Sequence, residues 1–63
     1  MIKEGDKIKL KTGEIAFVAE VLEEGVMYIA EVFTKDGISV DHVEHKNITS
    51  VFVEMENPIA VGA

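Results

Sequence analysis

The chain has no cysteine, no arginine and a single proline among its 63 residues. Without cysteine there is no disulfide to staple a small fold, no Cys-based zinc site and no thiol chemistry. The same absence fits a reducing compartment. Without arginine the chain lacks the planar fork that binds phosphate and guanine with two hydrogen bonds. Long apolar runs are missing as well, so no stretch reads as a membrane span. The opening residues Met1-Ile2-Lys3-Glu4-Gly5-Asp6 lack the apolar segment of a signal peptide. The expectation is a soluble, cytoplasmic protein that does not enter a membrane.

What is present is mostly acidic and apolar. Twelve Asp and Glu stand against six lysines, a formal net charge of −6, which repels a phosphate backbone and disfavours nucleic acid as a partner. The lysines are unevenly placed, with Lys3, Lys7, Lys9 and Lys11 all near the N-terminus. Two readings of that cluster stand: an edge strand shielded by lysine, or a docking site for an acidic partner. A chain of 63 residues builds one core only, and with about 60% of its unfolded surface buried it is marginally stable unless a partner adds burial.

Gly5, Gly13, Gly25 and Gly37 punctuate runs rich in Val, Ile, Phe and Tyr, a strand-and-turn rhythm with no sustained helical period. The expected strands are Lys7 to Lys11, Glu14 to Leu22, Val26 to Phe33, Ile38 to Val43 and Ile48 to Met55. In the first, Ile8 and Leu10 alternate with lysine, leaving one wet face and one buried face. Glu23-Glu24-Gly25 reads as a three-residue hairpin loop. Lys35-Asp36-Gly37 reads either the same way or as a two-residue Asp36-Gly37 turn. Glu44 to Asn47 suits one 3₁₀ turn before the last strand. Residues 1–56 form the expected domain, and 57–63 a tail.

Five strands, a long bent second strand and one tight turn before the last strand resemble the SH3-like barrel. Gly13 to Gly25, with its Val21-Leu22-Glu23-Glu24-Gly25 ending, followed by Tyr28 and Asp36-Gly37, is similar to small bacterial SH3-like domains of unknown function. It is also distantly similar to the KOW motif, which favours glycine where Ala16 stands and basic residues around it. The first resemblance implies an all-β, five-stranded SH3-like barrel with a 3₁₀ turn before its last strand. The second implies an accessory role in a nucleic-acid complex.

Pairing strands two and three across a three-residue loop sets Ile15 opposite Phe33, Phe17 opposite Glu31, Ala19 opposite Ile29 and Val21 opposite Met27. Ala16, Val18, Leu22, Val26, Tyr28, Ala30 and Val32, with Glu20, then share the other face. Both faces are apolar, whereas a sheet covered on one side alternates cleanly. Either the strands bend and fill a barrel interior from both sides, or one face is core and the other meets a second subunit or partner. A two- or four-residue loop before strand four adds Ile38, Val40 and His42 to the face of Ile15 and Phe33. A three-residue loop adds them to the face of Val18 and Val32, and sets Glu31 against Asp41. The surface expected to bind a protein partner or form a homodimer is Ile15, Phe17, Ile29, Phe33 and Val40.

Asp41, His42, Glu44 and His45 are residue types that ligate zinc or nickel, but on a strand Asp41 and His42 point to opposite faces. They read as solvated polar residues. No Ser or Thr stands beside a His and an orienting acid, and so short a chain rarely supplies a cleft of the ~300 Å³ that typical ligand sites occupy. The acidic loop tips also lack the spaced oxygen ligands of a calcium site. The expectation is a non-catalytic interaction module with no cofactor, no metal and no small-molecule substrate.

Overall fold

A computed structural model describes residues 1–52. Five antiparallel strands form one sheet: β1 (Lys7–Leu10), β2 (Ile15–Glu23), β3 (Met27–Thr34), β4 (Gly37–Glu44) and β5 (Ile48–Phe52). A single 3₁₀ turn, His45–Asn47, precedes β5. The expected end of the last strand at Met55, the domain limit at residue 56 and the tail 57–63 lie outside the described residues.

The spatial order is β4-β3-β2-β1-β5. Three hairpins account for most of it, and the long-range step is the antiparallel pairing of β5 with β1. That pairing makes β1 an interior strand, so its lysines do not shield an edge, as one reading expected. The edges are β4 and β5. Among the described residues these two do not pair with each other, so the sheet is open.

The core is one cluster of Ile2, Ile8, Leu10, Ala16, Val18, Tyr28, Ala30, Val32 and Val43, with Val21 and Ile48 packed against it. Val43 on β4 and Ile8 on β1 are separated by two intervening strands, a span of roughly 14 Å in a flat sheet at ~4.8 Å per strand. With no second layer over the sheet among the described residues, the complete burial of Ile8, Ala16 and Ala30 and the groove shared by Leu10 and Val43 show that the sheet curls over its inner face. Ile2, ahead of the first strand, also enters the core, an addition that strand periodicity does not predict. The segment is held there by backbone hydrogen bonds from Gly5 N–H to Val18 C=O (2.8 Å) and from Val18 N–H to Asp6 C=O (2.9 Å).

The Asp6 carboxylate closes that N-terminal turn. Its two oxygens accept from the Lys3 backbone N–H at 3.0 Å and the Lys3 ammonium at 3.1 Å. The backbone bond is the main reason its pKa lies below the ordinary 3.8, with the lysine's bond and charge adding to the effect against a partial desolvation.

Both hairpin loops sit one residue away from the expected positions. The first is three residues long but comprises Glu24, Gly25 and Val26, with Gly25 at φ +77°. The second is the two-residue loop Lys35-Asp36, closed by the Thr34–Gly37 pair. A primed turn is excluded, since among the described residues none other than glycine has positive φ, and Gly37 itself takes φ +124° just after the loop. The Thr34 hydroxyl accepts from Asp36 N–H at 3.1 Å and donates to Gly37 C=O at 2.7 Å, fixing the turn.

Candidate functional site: the outer face of the sheet

The β2–β3 register begins as expected, with Ile15 opposite Phe33 and Phe17 opposite Glu31, and then shifts twice. Glu20, not Ala19, lies opposite Ile29; Val21 lies opposite Tyr28; Glu23 lies opposite Met27. Ala19 and Leu22 are therefore the extra residues of two bulges, and each bulge reverses the in-out phase of the residues beyond it. Val21 turns toward the core, while Leu22 and Val26, expected on the face of Ala16 and Val18, are 45% and 48% exposed. The bend expected for β2 thus exists, but it is local.

Before the first bulge the two faces are cleanly divided. Ala16, Val18, Tyr28, Ala30 and Val32 are buried, and Ile15, Phe17, Ile29 and Phe33 take the opposite, outer face. The unbroken β3–β4 register places Ile38 opposite Phe33, Val40 opposite Glu31 and His42 opposite Ile29. This is the arrangement expected from an even-numbered loop, and it keeps Glu31 away from Asp41. On the other side, Lys9 lies opposite Ile15, and Lys7 opposite both Phe17 and Phe52.

The outer face thus carries an apolar band running from Ile38 through Phe33 and Ile15 to Phe17 and Phe52. All five residues named from the sequence lie on it: Ile15 and Ile29 are half-buried, and Phe17, Phe33 and Val40 are exposed at 36%, 44% and 65%. The Phe17 and Phe33 rings meet at 5.5 Å between centroids, tilted by 60°, a favourable aromatic geometry. The Lys7 ammonium sits 4.9 Å from the Phe52 ring centroid. Ile38 and Phe52, exposed at 61% and 41%, extend the band beyond the residues expected. The signal for Ile38 was present in the alternation of β4; Phe52 joins only through the β1–β5 pairing.

The N-terminal lysines do not form one basic patch. Lys3 is tied to Asp6, Lys7 and Lys9 project from the outer face, and Lys11 borders a groove on the inner side. That groove, about 460 Å³ and open to solvent, is lined by Leu10, Lys11, Glu14, Asp41, His42 and others. It is larger than the length of the chain led one to expect. Among the described residues no hydrogen bond joins its polar side chains across it; Glu14 is bonded to Thr12 and Asp41 to Ser39.

The segment Asp41 to His45 is divided by the end of β4. Among the described residues no three His, Asp or Glu side chains converge on a point where a metal would sit. His45 instead meets Tyr28: the phenol oxygen is 2.8 Å from Nδ1 and accepts from Gly25 N–H at 3.2 Å. The phenol oxygen, already accepting from the amide, shares one further hydrogen bond with Nδ1, whose direction follows the imidazole tautomer. The His45 backbone N–H also donates to Val26 C=O at 2.8 Å. The ligand-rich segment therefore clamps the first hairpin loop onto the start of the 3₁₀ turn.

No family model, curated protein or solved structure matches the chain.

Proposed function

We propose that this chain is a non-catalytic SH3-like module that works by protein association through the outer face of its sheet. Support for the SH3-like assignment is the strand order, the curl of the sheet over its core and the 3₁₀ turn before β5. The observation that carries the functional reading is the apolar band around Ile15, in which Phe17, Phe33, Ile38 and Val40 are exposed among the described residues although the inner face already holds a core. Contiguous exposed apolar surface of a few hundred Å² marks interaction sites, and a domain of this size gains needed burial from a partner. A cytoplasmic setting accompanies this reading, on the lack of cysteine.

The test is Phe17→Ser and Phe33→Ser, measured by sedimentation and thermal melting. Association lost with little change in melting supports the reading. Unfolding of both variants would place the band in a core and sink it.

A second reading, an accessory role in a nucleic-acid complex, is favoured by the Lys7–Phe52 stack beside Lys9, a cation and an aromatic ring on one surface. The net charge of −6 opposes it. RNA held by lysine is released steeply by added salt, whereas an apolar contact holds or tightens.

A further inference from the structure

The two edges of the sheet differ in a way that bears on which partner it meets. The β1–β5 pairing is irregular between Lys9 and Leu10. The β3–β4 pairing runs through eight consecutive pairs without a shift, so the other side of β4, unpaired among the described residues, is a regular row of backbone donors and acceptors. Exposed edges are ordinarily blunted by lysine, proline or a bulge. Gly37-Ile38-Ser39-Val40-Asp41-His42-Val43-Glu44 contains none of these, and its charges, Asp41 and Glu44, are confined to its second half, while its outward-facing Ile38 and Val40 are the most exposed Ile and Val among the described residues.

We infer that β4 pairs with β4 of a second copy, antiparallel about a two-fold axis through Ser39, to make one continuous sheet. This deepens the reading above by naming the partner as a second copy. If both copies keep their outer faces on one side, only residues of like facing can oppose each other, so the axis passes through a residue and not between two. An axis through Asp41 sets that carboxylate against itself, and one through Val40 sets Asp36 against Glu44. An axis through Ile38 or Val43 leaves only three residues of β4 paired, and one through His42 sets its imidazole against itself and the apolar Val40 against Glu44. Through Ser39, each Ile38 opposes Val40 of the other copy, and each Asp36 opposes the other copy's His42. Lys35 of one copy comes beside the acidic end, Asp41 and Glu44, of the other. The strand is thus self-complementary in apolar contacts and in charge at one register.

In that arrangement the outer apolar bands of the two copies run together through Ile38 and Val40. The paired edge buries less than the ~800 Å² per partner of a standard interface, so the dimer is a weak one. Each copy carries a net charge of −6, and added salt strengthens it by screening that repulsion.

Absence of native cysteine makes a single-cysteine series through residues 37–43 directly readable. Opposed Cα atoms lie about 4.5 to 5.5 Å apart, within the roughly 4.4 to 6.8 Å that a disulfide spans. Ser39→Cys is therefore expected to give the highest yield of covalent dimer on oxidation. His42→Cys, offset by six residues from its own copy and so by roughly 20 Å, gives little, and Thr49→Cys on the β5 edge gives none. Ser39→Lys sets two ammonium groups together at the axis and weakens the dimer by about tenfold or more, while leaving Phe17 and Phe33 untouched.

A chain that stays monomeric at millimolar concentration and high salt overturns the proposal and leaves β4 to a strand of a different protein. A dimer that Phe17→Ser dissolves but Ser39→Lys does not, or a yield peaking elsewhere in the series, also overturns it while sparing the outer-face reading. A dimer dissolved by Ser39→Lys and indifferent to Phe17→Ser upholds the edge and removes the outer face.

Discussion

The two faces of the β2–β3 hairpin are nearly equal in apolar character and opposite in fate. Ala16, Val18, Tyr28, Ala30 and Val32 are buried, while Phe17 and Phe33, more hydrophobic than most of the buried set, are partly exposed. Hydrophobicity alone therefore does not decide which face becomes core. The inner set combines two alanines with one tyrosine, a small-and-large pattern that suits the concave side of a curled sheet. Phe17 and Phe33 on the concave side would overfill it. A curled sheet selects the face that fits and leaves the bulkier one available for contact.

The largest expected effect breaks the inner side of this comparison. Ile8→Ala, at a side chain with no exposure, should cost about 2 to 5 kcal/mol. For a domain this small that is enough to abolish a cooperative melting transition. Tyr28→Phe leaves the ring in place and removes the hydroxyl shared by Gly25 and His45. A loss of about 1 to 3 kcal/mol is expected, with the His45 ring losing its fixed orientation in NMR spectra. Phe17→Ser, on the outer side, should change monomer stability by under about 1 kcal/mol, since it forfeits mainly the pairing with Phe33. A cost matching that of Ile8→Ala would erase the distinction between the faces.

The smallest effect concerns the N-terminal segment that carries Ile2 into the core. The Asp6 carboxyl titrates lower in the folded chain than in the unfolded one, so the unfolded state takes up the proton first as pH falls. Its contribution to stability is full above the ordinary carboxylate range and is lost as pH drops through the lowered value. Asp6→Asn should therefore be less stable than the parent near neutral pH. The two should converge in acid, as read from denaturant midpoints between pH 2 and 7.

Much of the strand pattern is legible in the sequence for local reasons. Alternation of Ile8 and Leu10 with lysine marks β1, and glycines with positive φ mark the turns, Gly25 inside the first loop and Gly37 at the start of β4. The polar stretch from Glu44 to Asn47 is too short for anything beyond a 3₁₀ turn. The five residues named for the outer surface do share one face, because Ile15, Phe17 and Phe33 lie in the unshifted part of the β2–β3 register, and Ile29 and Val40 follow through β3 and its unbroken pairing with β4.

The departures have a common source. A strict period of two, carried through Ala19 and Leu22, assigns Leu22 and Val26 to the core face, but bulges at those two positions reset the phase. Nothing in Ala19-Glu20-Val21-Leu22 announces a bulge, since no glycine stands there. The lysines of β1 read as edge protection because adjacency of β1 and β5 depends on residues some forty positions apart. Ile2 escapes the pattern because its burial comes from the Asp6 turn and two backbone bonds to Val18, not from strand alternation.

By itself the amino-acid order determined the number of strands, their approximate bounds, the turn chemistry and the two alternative apolar sets, all of which arise from interactions between near neighbours. Only the tertiary structure decided which set is core, where the phase reverses and which strands are edges. An alternating pattern with two apolar faces is symmetric under exchange of inside and outside. That symmetry is broken only when distant strands curl together and one set of side chains fits the space between them.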